Sequence, residues 1–353
     1  MNRRHFLVGA ASGVTAFAGL ANAQAPTAPA APAAGRQGGG GRGRGGSPAA
    51  VPAERLARLS MMTLNHGSML KLPWNATPNE NQTIALFDLP QYYIDTYGIR
   101  NVEFQHQHLA QSQDNPDPVF FREFKAKFDA AGSKAVQINI EIGGMVGAAA
   151  TPDARATWLT RAKKWTDTAP IMGITRLMIN QTGLNDENKA GVVALWKEIQ
   201  DYARPKCIMI SAETRGSGPQ AAGGGGRGRG AAAAGAGAAA PPPPPPAPPI
   251  SETERLRHVW VILEETIEAA GGYSNLDFGG TGRFKTQQQL HDAIKGMLPR
   301  TSGSLHIKSS PDWDIGVAVR YAESLGYKGL YTIEVNPDPA IRIVYNTILA
   351  ALA

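Results

Sequence analysis

The feature that most constrains the fold of this chain is an alternation of short apolar strand patterns with amphipathic helix patterns, which repeats eight times between residues 55 and 353. Side chains alternate between polar and apolar in the strand patterns, and apolar residues recur every three to four positions in the helix patterns. Repetition over about 300 residues predicts a (β/α)8 barrel. An open doubly wound sheet is the alternative, but it favours a glycine-rich phosphate turn after an early strand, and the sequence has none there.

The patterns give limits for the individual elements. The predicted strands are 60–65, 101–107, 134–142, 176–181, 206–213, 273–277, 304–308 and 329–335. The predicted helices include 117–131, 154–168, 189–203, 252–270, 287–298, 315–325 and 339–352. The barrel domain is therefore expected to occupy residues 53–353.

Residues 1–25 have the pattern of a twin-arginine signal peptide. Arg3 and Arg4 precede the apolar stretch 9–21, and small residues place a cleavage site near Ala23 or Ala25. A Sec signal or a short membrane anchor is the alternative. We expect export to the periplasm without stable membrane insertion after cleavage, because no other stretch has the roughly 18 apolar residues that a membrane span needs.

Two low-complexity tracts lie outside the strand and helix patterns. Residues 26–52 form an Ala/Pro/Gly linker, and residues 216–249 form an insertion in the barrel domain; both contain the octamer GGGGRGRG. Such composition predicts disorder. The tracts and the signal hold seven arginines, and removing them from the net charge of +6 leaves about −1. Nucleic acid is therefore not an expected partner.

Four residues of metal-binding type lie at or near the carboxyl ends of the last four predicted strands: Glu213, Asp277, His306 and Glu334. Active sites of (β/α)8 barrels lie on the loops that follow these ends. Three carboxylates and one imidazole suit one divalent ion such as Mn²⁺, Mg²⁺ or Zn²⁺. Each residue alone also fits a solvated strand end or a salt bridge. Their joint position favours a metal site.

Polar residues also line one face of earlier strands, as in the alternation of Gln137, Asn139 and Glu141 with apolar neighbours. A polar interior suits a hydroxyl-rich ligand. Lys308 has the same parity as His306 and would contact either a substrate oxyanion or a carboxylate. The candidate substrate-binding residues are His66, His106, Lys308 and Trp74, with His108 and Trp313 as further candidates.

Three segments together resemble a known family. They are Leu276-Asp277-Phe278-Gly279, Leu305-His306-Ile307-Lys308, and the stretch 326–334 that ends in Tyr331-Thr332-Ile333-Glu334. In combination they are similar to the sugar phosphate isomerase/epimerase family of xylose-isomerase-like barrels, from about Leu56 onward. The resemblance implies that Glu213, Asp277, His306 and Glu334 hold one divalent metal ion. It also implies that Glu213 and Glu334 are the catalytic acid/base groups.

These observations lead us to expect a metal-dependent isomerase or epimerase that acts on a non-phosphorylated or oxidised (keto) sugar. The reaction would begin with proton abstraction beside a carbonyl and pass through an enediolate. The alternatives are a metal-dependent lyase or hydrolase of keto-glycosides and a non-catalytic carbohydrate-binding barrel. The sequence leaves the oligomeric state, the sugar and the identity of the metal open.

We predict that deletion of residues 218–249 leaves folding and turnover nearly unchanged. The tract offers almost no apolar surface other than alanine and proline, and the entropy of closing a loop grows only slowly with its length. Thermal unfolding and steady-state kinetics of the deletion variant check this. A large loss of activity in a folded variant would show instead that the tract closes over the active site.

Overall fold

The computed structural model describes residues 51–353 apart from 76, 78, 113, 182, 215–259, 280–283 and 336–337. The predicted signal peptide, nearly all of the predicted linker and the whole low-complexity insertion lie outside these residues. Within the described ranges, no helix has the length and apolar character needed to cross a membrane.

Eight parallel strands form a nearly closed barrel with helices between them, which confirms the predicted (β/α)8 fold. The strands are β1 (Leu59–Met62), β2 (Asn101–Gln105), β3 (Lys134–Ile140), β4 (Arg176–Gln181), β5 (Met209–Thr214), β6 (Tyr273–Asn275), β7 (Ser304–Ile307) and β8 (Leu330–Ile333). Their order around the sheet is β6-β5-β4-β3-β2-β1-β8-β7.

The barrel is joined between β6 and β7 by isolated bridges rather than by a continuous ladder. Ser274 pairs with Thr301, and Asp277 pairs with His306. The backbone N–H of His306 donates to the Leu276 carbonyl (3.0 Å), and the N–H of Phe278 donates to the His306 carbonyl (2.8 Å). We call this joint the β6–β7 seam.

In the described part of the chain, one main helix follows each of the eight strands. These helices are α1 (Leu89–Tyr97), α2 (Pro118–Ala131), α3 (Pro152–Thr168), α4 (Lys189–Ala203), α5 (Ile262–Ala270), α6 (Gln287–Met297), α7 (Ile315–Ser324) and α8 (Ala340–Ala351). Shorter helices span Ala53–Leu56 and Met145–Ala149, and a two-stranded ladder joins Leu70–Lys71 to Ile84–Ala85. Helix α1 is not among the predicted helices, and the predicted residues 252–259 at the start of α5 lie outside the described part of the chain.

Local sequence signals set several helix boundaries. The side chains of Asp117, Thr151, Thr286 and Asp314 each accept a backbone hydrogen bond at the start of a helix. These residue types satisfy donors that the first turn leaves without helical partners. Glycines with positive φ end α1, α2 and α5 at Gly98, Gly132 and Gly271.

Most strands are shorter than predicted. The backbone leaves the ladder for 3-10 turns at Thr63–Met69 after β1 and at His106–His108 after β2, so the predicted strand ends at 65 and 107 are too late. The predicted start of β5 at residue 206 is too early, because Arg204–Lys206 is a 3-10 turn and Cys207 has a φ of 58°. The strand patterns therefore extend beyond the hydrogen-bonded ladders into the connecting loops.

The strands separate an apolar outer layer from a polar interior. On β2, Phe104 packs against Phe124 and Phe128 of α2, with ring centroids 5.6 Å apart in both pairs. The neighbouring Glu103 is fully buried and contacts Ser304 and Thr332, which lie on strands that are not adjacent to β2. Such a contact has to cross the interior of the barrel. The alternation of polar and apolar residues thus has the orientation that the sequence predicts.

The turns after β1 and β2 are tied together by a buried histidine. The Nδ1 atom of His108 lies 2.8 Å from the hydroxyl oxygen of Thr63, and the same hydroxyl accepts the backbone N–H of Gln105 (3.1 Å). Burial lowers the pKa of His108 to about 4, and it does the same to neighbouring His106. Both imidazoles are therefore neutral in the folded protein at pH 7.

We predict that these histidines make the fold sensitive to mild acid. Their folded pKa of about 4 lies below the ordinary value of 6.5, so the unfolded chain binds protons first as the pH falls. The free energy of unfolding is therefore highest above about pH 6.5 and falls as the pH drops toward 4. At pH 5 the fall is about 2 kcal/mol for each histidine. In urea unfolding at pH 8 and pH 5, His108→Gln should show a fall smaller by that amount. An equal fall in the variant and the wild type would contradict the prediction.

Candidate metal centre

The residues predicted from four separate strands lie together at the carboxyl end of the barrel. Glu213, His306 and Glu334 each offer one donor atom, and these three atoms lie within 4.8 Å of one another. Glu213 and His306 lie in β5 and β7, and Glu334 directly follows β8. All three side chains are buried, with Glu334 the most exposed at 8%. Their spacing and burial suit the coordination of one cation.

Asp277, the fourth predicted ligand, joins this group through Lys308. The Lys308 ammonium lies 2.7 Å from Asp277 Oδ2, 3.0 Å from Glu334 Oε1 and 3.8 Å from Glu213 Oε1. Asp277 is fully buried, and its Oδ1 accepts the backbone N–H of Gly279 (2.7 Å). Lys308 pairs with carboxylates in this structure, and its contact with a substrate stays a prediction.

His306 lies between two carboxylates on opposite sides of its ring. Its Nε2 atom is 2.8 Å from Glu103 Oε2, and its Nδ1 atom is 2.9 Å from Glu334 Oε2. Burial opposes protonation of the ring, but the two carboxylates outweigh it and raise the pKa of His306 well above its ordinary value. The ring is therefore held between two negative charges.

The position of Glu334 is fixed by Asn65, which the sequence patterns do not single out. The Asn65 amide donates from Nδ2 to the Ile333 carbonyl (2.8 Å), and its Oδ1 accepts the N–H of Val335 (3.0 Å). The backbone on both sides of Glu334 is thus anchored to the turn after β1. Burial raises the pKa of Glu334. The opposite effect of Lys308 and His306 is larger, so the pKa of Glu334 lies below its ordinary value.

The donor set fits a divalent metal ion. His306 Nδ1 and Glu334 Oε2 are buried and form an ion pair at 2.9 Å, although the pair does not have hydrogen-bond geometry. A cation that replaced the hydrogen on Nδ1 would have both atoms available as donors. Four carboxylates surround two cationic side chains, so the cluster also has an excess of negative charge. Oxygen and imidazole donors suit Mn²⁺, Mg²⁺ and Zn²⁺.

Below this group, the barrel interior contains a network of buried polar side chains. Gln137 Nε2 donates to Glu103 Oε2 (3.0 Å), Asn139 Oδ1 (3.0 Å) and Asn275 Oδ1 (3.1 Å). Glu141, at the end of β3, accepts a hydrogen bond from Asn180 Nδ2. The polar lining that the alternation predicts is present, although the sequence does not show which side chains meet across the barrel.

The predicted substrate-binding residues other than Lys308 lie in loops at the same end of the barrel. His66 is buried beside Tyr92 and Tyr93, with ring centroids 5.3 and 5.4 Å away. His106 is buried, and its Nδ1 accepts the backbone N–H of Glu141 (3.1 Å). A contact between these histidines and a substrate stays a prediction.

The two loop tryptophans pack against phenylalanines. Trp74 is partly buried against Phe120, with ring centroids 5.8 Å apart, and Trp313 lies against Phe278 at 6.2 Å. Both rings therefore anchor loops in this structure. Stacking of Trp74 on a sugar ring stays a prediction.

Comparisons with known proteins give structural matches only. Neither a scan against models of protein families nor a search of curated proteins found a match. A sugar phosphate isomerase/epimerase from Parabacteroides distasonis ATCC 8503 matches with a TM-score of 0.54 at 13% identity, over 84% of this chain and 95% of that chain. An L-ribulose 3-epimerase matches with a TM-score of 0.53 at 11% identity, over 83% and 86%.

A third solved structure, the IolI protein with a bound zinc atom, matches with a TM-score of 0.51 at 12% identity, over 83% of this chain and 94% of that chain. At such low identity, the likeness shows the fold alone. The chain therefore has the (β/α)8 barrel fold that it shares with these solved structures.

Proposed function

We propose that this protein is a metal-dependent isomerase or epimerase of a non-phosphorylated or oxidised (keto) sugar. The observation that carries the proposal is the buried group of Glu213, His306 and Glu334, with donor atoms within 4.8 Å of one another at the carboxyl end of the barrel. Active sites of this architecture lie at that end. The L-ribulose 3-epimerase among the structural neighbours supports the choice of reaction.

The proposed metal ligands are Glu213, Asp277, His306 and Glu334. Lys308 contacts three of them and would have to move away from at least one carboxylate when a cation binds. The zinc atom bound to IolI supports a metal site in this chain. When bound, a divalent ion would polarise the sugar carbonyl and stabilise the negative charge of the enediolate.

The two glutamates are the proposed acid/base groups. Lys308 and His306 hold the pKa of Glu334 below its ordinary value, so its carboxylate is ionised at neutral pH and is able to accept a proton. Glu334 would take the hydrogen on the carbon beside the carbonyl as a proton, while the electron pair of the C–H bond moves toward the carbonyl oxygen. Glu213, protonated at the start of the cycle, would return its proton to carbon, and exchange of protons with solvent between turnovers would restore both groups.

We further propose that the protein works in the periplasm on a small carbohydrate. The paired arginines and apolar stretch of residues 1–25 support export. Export argues against a phosphorylated intermediate of cytoplasmic metabolism. The polar interior, with Gln137, Asn139 and Glu141 on one face of β3 and its end, supports a ligand rich in hydroxyl groups.

We predict that the purified protein holds about one divalent ion per chain and that His306→Ala removes it. The loss of one of four ligands, together with the loss of the imidazole between two carboxylates, weakens the site severely. Metal content after dialysis, measured by elemental mass spectrometry, checks this. His291→Ala is the matched control, because His291 stacks on Tyr321 at the helical surface. Full metal occupancy of a folded His306→Ala variant would refute the assignment.

We predict that Glu334→Gln keeps the fold but lowers solvent deuterium exchange into a keto-sugar by roughly 10²-fold or more. The amide keeps the shape and an oxygen donor but lacks the basicity to take a proton from carbon. Proton NMR of a panel of ketopentoses and ketohexoses in D₂O gives the exchange rate. Glu323→Gln is the control, since Glu323 pairs with Arg58 (2.6 Å) away from the centre. Wild-type exchange in both Glu334→Gln and Glu213→Gln would contradict the two-glutamate mechanism.

A further inference from the structure

Glu103 is a charged residue in the interior of the barrel to which neither the predicted ligand set nor the proposed mechanism gives a role. It lies in the middle of β2 and is fully buried. A buried carboxylate is unfavourable unless hydrogen bonds or opposite charges compensate it, and a neutral side chain of similar size would avoid that penalty. Its presence at this position therefore requires an explanation.

The two oxygens of Glu103 have separate sets of partners. Oε1 accepts hydrogen bonds from the hydroxyl groups of Ser304 and Thr332, the second at 2.5 Å. Oε2 accepts from Gln137 Nε2 (3.0 Å) and from His306 Nε2 (2.8 Å). These four contacts give both oxygens of the buried carboxylate hydrogen-bond partners. The carboxylate is thus held rigidly with one oxygen directed at the ring of His306.

The contact with Glu103 requires a hydrogen on Nε2 of His306. A carboxylate oxygen only accepts hydrogen bonds, so Nε2 must donate. Gln137 Nε2, which lies 3.4 Å from His306 Nε2, is a donor and cannot compete as an acceptor. When the ring is cationic, Nδ1 also carries a hydrogen and faces Glu334 Oε2 at 2.9 Å. Loss of that hydrogen leaves the lone pair on Nδ1, because the contact with Glu103 keeps the other hydrogen on Nε2.

We infer that Glu103 is a positioning residue that holds His306 with its hydrogen on Nε2 and thereby directs Nδ1 at a divalent cation. The inference rests on the proposed metal site. Histidine ligands of metals generally donate their second N–H to a carboxylate or carbonyl, which fixes the ring and makes the ligating nitrogen more basic. Glu103 acts from the opposite side of the ring and does not touch the cation or the substrate.

The test is calorimetric titration of metal-depleted protein with Mn²⁺ alone. Glu103→Gln keeps the shape of the side chain but removes the charge that strengthens the hydrogen bond, so the Kd for Mn²⁺ should rise about 10- to 100-fold. Thr332→Val is the matched control, because it removes a hydrogen bond to Oε1 and leaves the contact between Oε2 and His306 in place. Its Kd should stay within about threefold of the wild type, even where its melting temperature falls.

A measurement on the wild type keeps the inference testable if Glu103→Gln does not fold. Nitrogen-15 NMR of the Zn²⁺-loaded protein should show His306 with the proton on Nε2 and the metal on Nδ1. The reverse assignment would overturn the inference, as would wild-type Mn²⁺ affinity in a folded Glu103→Gln variant. A wild type that binds neither Mn²⁺ nor Zn²⁺ would refute the proposed metal site itself, so the two failures are distinguishable.

Discussion

Four carboxylates share the interior of this barrel, and charges of like sign are not buried together without a compensating cation. In the described structure, His306 lies between Glu103 and Glu334, while Lys308 lies among Asp277, Glu334 and Glu213. Each cationic side chain thus contacts more than one carboxylate. The arrangement of the site depends on these contacts between opposite charges. Removal of either cationic side chain would leave buried carboxylates without compensation.

Hydrogen bonds that involve the backbone also hold these carboxylates in place. Asn65 clamps the chain on both sides of Glu334, and the N–H of Gly279 fixes one oxygen of Asp277. The turn after β1 therefore supports a residue from a distant part of the sequence, and the loop after β6 holds the carboxylate that it carries. The backbone around these carboxylates is thus fixed before any ligand arrives, which favours tight and specific binding.

The sequence predicts the barrel because its two periodicities differ clearly, and the carboxyl-end position of Glu213, Asp277, His306 and Glu334 follows from the same alternation. Helix α1 is missed: it has only nine residues, contains Pro90 in its first turn and is rich in tyrosine, so its helical period is weak. The strand limits fail where polar and apolar residues keep alternating after the ladder has ended, as in Glu141 and Ile142 after β3.

Contacts across the barrel are the part that the sequence does not predict. Parity assigns Glu103 and His306 to the interior, but it does not show that these residues, about 200 positions apart, meet at 2.8 Å. The choice of neighbours depends on how eight strands are staggered around the barrel. For the same reason, Asn65 has no signal in the sequence that would connect it with Glu334.

The position of the proposed metal site at the β6–β7 seam has a consequence for the stability of the barrel. Asp277 and His306 face each other across the joint where the barrel has only isolated bridges, and β6 has only three residues. An ion held by both residues would connect the first and last strands of the open sheet order. Coordination would then act as a crosslink that completes the ring, and occupancy of the site would be linked to the cooperativity of unfolding as well as to chemistry.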